Sequence, residues 1–310
     1  MWSAVQRLAA QGTAAMLQHE LPLPMAGLHD VKALMKTLPP SIHVLVTGAS
    51  GGIGRAICFA LIEQARKDGA NIRISAAATQ PGARLEQLVD ELRAAGAQAG
   101  GVAGDITDPA QCAALVVQAE SQGGDLTALI CNAGASGPGR LADMPPAQWD
   151  TTFNLNTRSA WLLAQAAREG LSRTRGSITA VASMSGLTPH PGYGAYSAAK
   201  AALIMLCRQL AQEWAADGIR VNTVCPGMIR TPLTEAVYQD ATTLAKRESL
   251  VPLGRIGRAE DVGTTVAWLT SPGASYITGQ NLAVDGGISD HMLSLIPGRP
   301  GKPPAGQAGP

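Results

Sequence analysis

The sequence predicts an α/β protein built on a doubly wound parallel sheet. Three observations carry that expectation. Short apolar runs of strand length alternate with longer stretches of helical pattern. A glycine cluster, TGASGGIG at Thr47–Gly54, joins the first apolar run to the first helical stretch. Hydrophobic residues make up 46% of the chain but aromatics only 4%, so the core must be Ala, Val, Ile and Leu, which suits helices layered on a sheet.

Taken in order, the strand candidates are Ile42–Thr47, Ile72–Ala76, Gln98–Ala103, Leu126–Cys131, Ser177–Ala182, Arg220–Cys225 and Asn281–Val284. Between them lie helical stretches at Gly52–Lys67, Arg84–Ala95, Pro109–Gln122, Gln148–Glu169, Ala195–Ala216 and Ala259–Leu269. Strands this short and apolar, separated by helices, imply right-handed crossovers and a sheet covered on both faces. No internal repeat is visible. The expected organisation is one domain over residues 41–290, a helical extension at 1–40, and a flexible Pro/Gly-rich tail at 291–310.

Several classes are disfavoured at once. A net charge of +1 provides no global field for nucleic acid or an anionic membrane surface. No run of 18 or more apolar residues is present to span a bilayer. Cys58, Cys112, Cys131, Cys207 and Cys225 are odd in number and dispersed, which reads as reduced thiols in the cytoplasm and as no metal site. The start of the chain has helical spacing at Trp2, Val5, Leu8 and Ala9 and few acids. That is the pattern of a transit peptide, but Arg7 is the only basic residue before Lys32, so a helical extension packing on the domain or on a partner subunit is preferred.

Glycine is costly to order and is tolerated where the backbone needs positive φ or close approach. A glycine cluster after a strand and opening a helix therefore reads as a phosphate site, because a helix start offers unpaired N–H groups and partial positive charge. In this reading Gly48 allows the turn, Gly52 the close approach and Gly54 the helix–strand contact, giving a Rossmann-like nucleotide site. The stretch Gly69–Leu85 contains no acid. That removes the usual partner of a free ribose 2′-hydroxyl and the repulsion that would exclude a 2′-phosphate. NADP is thus favoured over NAD, with Arg84 in reach of such a phosphate.

Tyr196 and Lys200, in AYSAAKAAL, are four apart and share a helix face. An ammonium beside a phenol favours the phenolate, so the pair can act as proton donor and acceptor. Ser183 ends the preceding strand at the sheet's carboxyl edge, Asn132-Ala133-Gly134 ends the fourth strand, and Pro226-Gly227 ends the sixth. Asn156 falls mid-helix, where asparagine is mildly unfavourable, and marks a kink or water site.

Together these pieces resemble the short-chain dehydrogenase/reductase family. TGASGGIG, GDITD at Gly104–Asp108, Asn132–Gly134, the Asn156 helix, Ser183, YSAAK at Tyr196–Lys200, PGMIRT at Pro226–Thr231 and VDGG at Val284–Gly287 follow the family order over about residues 41–289. The resemblance implies an NAD(P)-dependent oxidoreductase that reduces a ketone or oxidises a secondary alcohol. Tyr196 would be the acid/base, Lys200 would lower its pKa and hold the nicotinamide ribose, Ser183 would bond the substrate oxygen, and Asn156 would hold a water. The cofactor would lie on Gly48, Ser50, Gly51, Gly52, Ile53, Gly54, Asp105, Ile106, Asn132, Ala133, Gly134, Pro226, Gly227, Ile229 and Thr231. The family's acid or arginine at the end of the second strand is replaced by Ala78-Thr79-Gln80, which leaves NAD open beside NADP.

The substrate pocket is expected from Ser183, Met184, His190, Tyr193, Met228 and Tyr238, with Leu233, and these apolar walls suit a hydrophobic ketone or alcohol rather than a highly charged sugar. Thr231–Glu248 reads as a lid. The resemblance also implies a homodimer or homotetramer through the helices carrying Asn156 and Tyr196, and ALIMLCRQLAQEW at Ala202–Trp214 is apolar on more than one face. The rival reading is a nucleotide-binding regulator of the same fold that has lost chemistry. The complete Ser183, Tyr196 and Lys200 set speaks against it.

Overall fold

The computed structural model describes residues 40–291. The expected extension and tail, apart from Pro40 and His291, lie outside the described residues. Seven strands form one parallel sheet in the order β3-β2-β1-β4-β5-β6-β9. They are β1 (Ser41–Thr47), β2 (Asn71–Ala78), β3 (Gln98–Ala103), β4 (Ala128–Cys131), β5 (Ser177–Val181), β6 (Arg220–Pro226) and β9 (Asn281–Val284). β7 (Ile229–Arg230) and β8 (Gly257–Arg258) pair separately, a feature the sequence pattern does not reveal because two residues show no period.

The sheet is doubly wound. From β1 the chain builds outward through β2 to β3, then returns to the other side of β1 as β4. The crevice between β1 and β4 at their carboxyl ends is the switch point where open α/β sheets bind ligands. Successive β1 residues feed opposite faces. Leu45 joins a core with Leu129, Ile178 and Leu203, whereas Val44 and Val46 join one with Ile57, Ile74 and Val266.

The first face is covered by α3 (Pro109–Gly123), α5 (Ser159–Thr174) and α6 (Tyr196–Glu213); the second by α1 (Gly52–Lys67), α2 (Ala83–Ala94) and α9 (Ala259–Thr270). Local chemistry sets their starts. Asp108 accepts the N–H groups of Ala110 and Gln111, and Pro109 occupies the first helical position, where its missing N–H costs nothing.

One expected helix divides. Gln148–Glu169 is α4 (Pro146–Phe153), a π turn at Asn154–Arg158, and then α5. The Ser159 N–H reaches the Asn154 carbonyl, five residues back, so one extra residue is inserted at Asn156. The segment read as a lid folds in part as two short helices, α7 (Glu235–Tyr238) and α8 (Ala241–Glu248). Among the described residues no helix is long and apolar enough to cross a membrane.

Candidate active site

The carboxyl ends of β1, β4, β5 and β6 meet at the glycine loop. Gly48 sits at φ +61°, a left-handed conformation that favours glycine. A side chain at Gly54 would fall on the Gly48 carbonyl oxygen, so the turn closes only with glycine there. Across the cleft, a Cβ at Gly52 would come within 2.9 Å of Thr231 and Pro232. Asn132 holds this loop in place. Its Nδ2 donates to the carbonyls of Thr47 (2.9 Å) and Gly48 (3.2 Å), and Thr47 Oγ1 accepts from the N–H groups of Asn132 and Ala133.

Helix α1 begins at Gly52 with no side-chain cap; the Gly51 N–H before it closes the turn onto the Gly48 carbonyl at 3.1 Å, and the N–H groups of its first turn are the ones a helix leaves without intrahelical partners. That cradle fits the pyrophosphate of a dinucleotide. Asp105 behaves differently from the rest of the cofactor set. Its carboxylate accepts from Thr107 N (2.9 Å) and Oγ1 (2.8 Å), which hold it below the usual carboxylate range, and so it shapes the loop after β3. Ile106 is buried in the core. Ser50 and Gly51 lie on the glycine loop beside these elements.

A cavity of about 270 Å³ lies next to the loop. It is lined by Ile53, Asn132, Gly134, Pro226, Gly227, Ile229 and Thr231 of the expected cofactor set, and by Ser183, Tyr196 and Lys200. All of the expected substrate residues, Met184, His190, Tyr193, Met228, Tyr238 and Leu233, line it too. Four larger hollows, near Leu85, Pro252, Phe59 and Ile62, bring together no comparable hydroxyl, phenol and ammonium among the described residues.

The polar groups of this cavity are held from several elements. Ser183 caps the turn Met184–Gly186, its Oγ accepting from Ser185 N at 3.1 Å, and its side chain acts on the Tyr196 phenol. Burial pushes the Tyr196 phenol above its ordinary value, and the Ser183 contact pulls partly back. Lys200 is 3% exposed and donates to the Val181 carbonyl at 2.9 Å, with Nζ 5.7 Å from the centre of the Tyr196 ring. Burial lowers its pKa to about 8.

For Tyr196 burial is the largest influence on the phenol, while Lys200 Nζ is bonded to the Val181 carbonyl.

The π turn explains Asn156. Its Nδ2 donates to the carbonyls of Ala135 (2.9 Å) and Thr152 (3.0 Å), while its buried Oδ1 has no partner. A Cβ on Gly134 would lie 2.7 Å from that Oδ1 and 3.1 Å from Lys200 Nζ, so both polar atoms border one small gap. An orphaned buried acceptor beside an ammonium is a position made for a bridging polar group.

Sequence reasoning missed Ser185, Ser136, Thr234 and Arg247, which also line the cavity. Ser185 Oγ lies 3.0 Å from His190 Nδ1, and the His190 and Tyr193 rings stack at 3.9 Å. Ser185 follows Ser183 by two residues and was findable from that spacing; Arg247 carries no local signal. Cys225 is fully buried, and burial raises its thiol to about 11, the behaviour of a packing residue.

The comparisons with known proteins agree with this geometry. The family model for enoyl-(acyl carrier protein) reductase matches residues 48–289. The chain belongs to the short-chain dehydrogenase/reductase family. It is 35% identical over 256 residues to 2-(S)-hydroxypropyl-CoM dehydrogenase 3 of Xanthobacter autotrophicus, covering 79% of this chain and 96% of that one. To the 3-oxoacyl-[acyl-carrier-protein] reductase FabG of Salmonella typhimurium it is 37% identical over 247 residues, with the same two coverages. The solved RhlG/NADP active-site complex of Pseudomonas aeruginosa superposes with a TM-score of 0.73 at 28% identity, covering 82% of this chain and 97% of that one. This short-chain dehydrogenase/reductase is an NAD(P)-dependent oxidoreductase.

Proposed function

We propose that this short-chain dehydrogenase/reductase interconverts a small ketone and its secondary alcohol, with Tyr196 as the acid and base. The observation that carries the reading is the convergence of Ser183, Tyr196 and the buried Lys200 on one cavity that continues to the glycine loop. The bound nicotinamide nucleotide supplies the hydride in reduction and accepts it in oxidation. In reduction, Ser183 donates a hydrogen bond to the substrate oxygen and holds it against Tyr196. The Tyr196 hydroxyl gives that oxygen its proton, so the carbonyl becomes an alcohol; oxidation returns the proton to the phenolate. Burial raises the phenol's pKa, so the hydroxyl keeps its proton at neutral pH and stands ready for the reductive direction. Lys200 places a positive charge beside the phenolate as it forms, and the gap between its Nζ and Asn156 Oδ1 is the way in for a replacement proton.

Gly48, Gly52, Gly54 and the opening of α1 would hold the pyrophosphate, and Pro226 to Thr231 would border the nicotinamide. Arg84 is exposed at the start of α2, in a stretch with no acid to repel a 2′-phosphate, which supports NADP over NAD. Trp161 on α5 and Met205 on α6 are 40% and 58% exposed, apolar surface that suits a homodimer or homotetramer. The substrate is a small carbonyl or alcohol; neither nucleic acid nor a membrane enters this reading, which places the enzyme in the cytoplasm.

The test is a panel of ketones and secondary alcohols assayed with NADPH, NADH and their oxidised forms. Turnover that is faster with the phosphorylated nucleotide and is lost in Tyr196→Phe is the expected result. No turnover with either nucleotide, or full activity in the variant, would overturn the proposal.

A further inference from the structure

We propose that the substrate carries an anionic group and that Arg247 selects it. This rests on the functional reading above and concerns the same cavity. No acidic residue lines that cavity, yet two cations do, Lys200 and Arg247. Lys200 is bonded to the Val181 carbonyl beside Tyr196. Arg247 comes from α8, on the wall built by the segment that follows β7.

The surroundings of Arg247 differ from those of most arginines that share its neighbourhood. Arg230 is paired with Glu235, and Arg255 with Asp261. Arg247 has no carboxylate within 4.0 Å among the described residues; its guanidinium lies over the Tyr238 ring, 5.6 Å from the centroid. Tyr238 is itself 3% exposed, so the cation rests on a fixed aromatic wall. The neighbouring Glu248 acts on Arg230.

His190 adds to the same side. Its Nδ1 meets Ser185 Oγ, and the positive charge of Arg247 reinforces burial in keeping the ring neutral. A cation in a partly dehydrated cavity with no counter-charge draws an anion, and a guanidinium grips a carboxylate or phosphate through two parallel hydrogen bonds. The volume of about 270 Å³ is shared with the nicotinamide end of the cofactor, so the anion belongs to a small molecule. Short oxo acids and their hydroxy acid products fit this description, as do ketones bearing a phosphate. The cavity therefore has two ends: the hydroxyls of Ser183 and Tyr196 for the reacting oxygen, and Arg247 for the charge.

The test compares matched pairs, acetoacetate with methyl acetoacetate and hydroxyacetone phosphate with hydroxyacetone, by kcat/KM in the presence of saturating NADPH. Wild type is expected to prefer the charged member, and whichever pair shows the larger ratio distinguishes carboxylate from phosphate. In Arg247→Gln the charged-to-neutral ratio is expected to fall about 10- to 100-fold, mainly through KM, the range for loss of a charge-assisted hydrogen bond. Arg247→Lys is expected to restore part of the preference. Lys246→Gln, exposed on the same helix, is expected to leave the ratio alone. The dissociation constant for NADPH, read by fluorescence, should not move in Arg247→Gln.

An unchanged ratio in a variant that folds normally overturns the inference and leaves the oxidoreductase reading standing. A loss confined to NADPH affinity also overturns it and assigns Arg247 to the cofactor. Failure of wild type to turn over any member of either pair, or any ketone of the wider panel, defeats both.

Discussion

The two edges of the sheet each bury a titratable side chain in a polar network, and the networks differ in whether they are complete. Near the amino edge, His43 on β1 is 3% exposed. Its Nδ1 lies 2.9 Å from the Gly124 carbonyl, its Nε2 lies 2.9 Å from Ser75 Oγ, and Ser75 in turn meets Gln122. Both ring nitrogens have partners. At the carboxyl edge, Asn156 Oδ1 has none, and the three protons of the Lys200 ammonium meet one protein acceptor, Val181, among the described residues. A closed network strengthens the fold, whereas a network with open positions carries a cost in stability and is ready to receive a substrate, a proton or a water. The difference teaches where to look for chemistry in a sheet that is otherwise uniform in packing.

Tyr196→Phe should show the contrast most sharply. It removes the proposed acid at the open edge, and kcat is expected to fall about 10³-fold while nucleotide binding and the thermal midpoint persist, measured by steady-state kinetics and calorimetry. A parallel loss of stability would mean the phenol is a structural group like His43.

Lys200→Met is expected to cost about 10²-fold in kcat. It also has a signature in stability. The folded-state pKa of Lys200 is lowered from 10.5 to about 8, so the unfolded chain binds more protons between those values. Stability of the protein alone should therefore rise with pH from about 8 to 10.5 relative to Lys200→Met, in which that rise is missing.

Gly134→Ala probes the gap itself. The added methyl would crowd Asn156 Oδ1 at 2.7 Å and Lys200 Nζ at 3.1 Å, and turnover is expected to drop about tenfold with little change in melting. Unaltered turnover would show that the gap carries no proton.

The smallest effect on rate belongs to His43→Leu, where kcat should be unchanged. Stability should fall by about 1–3 kcal/mol, because Ser75 loses a partner in a buried place and the Gly124 carbonyl loses one at a partly buried site. Burial lowers the pKa of His43, so the unfolded state takes up the proton first. Wild-type stability should decline as pH drops below about 6.5, and this component should be absent in the variant, as followed by denaturant unfolding at several pH values.

Much of this was legible in the chain itself. Strands such as Gln98–Ala103 and helices such as Gly52–Lys67 match their sequence boundaries, because apolar period and glycine placement are local properties. Ser183, Tyr196 and Lys200 were legible as a set because Ser183 sits just beyond the end of a strand and Tyr196 and Lys200 open the next helix, in family order. The π turn was not. Asn156 announced an irregularity, but its form depends on the carbonyls of Ala135 and Thr152 that its amide finds. Arg247 was invisible for a similar reason: an arginine in a helical stretch looks like any solvated one until the cavity behind Tyr238 exists.

Residue order alone determined the sheet, its crossovers and the candidates for the reacting groups, since these follow from periodicity and from motifs a few residues long. Only the folded structure decided which polar atoms remain without partners and which cation faces the cavity without a counter-charge. Hydrogen bonding and charge pairing are settled between segments distant in the chain, and their outcome exists only once those segments have met.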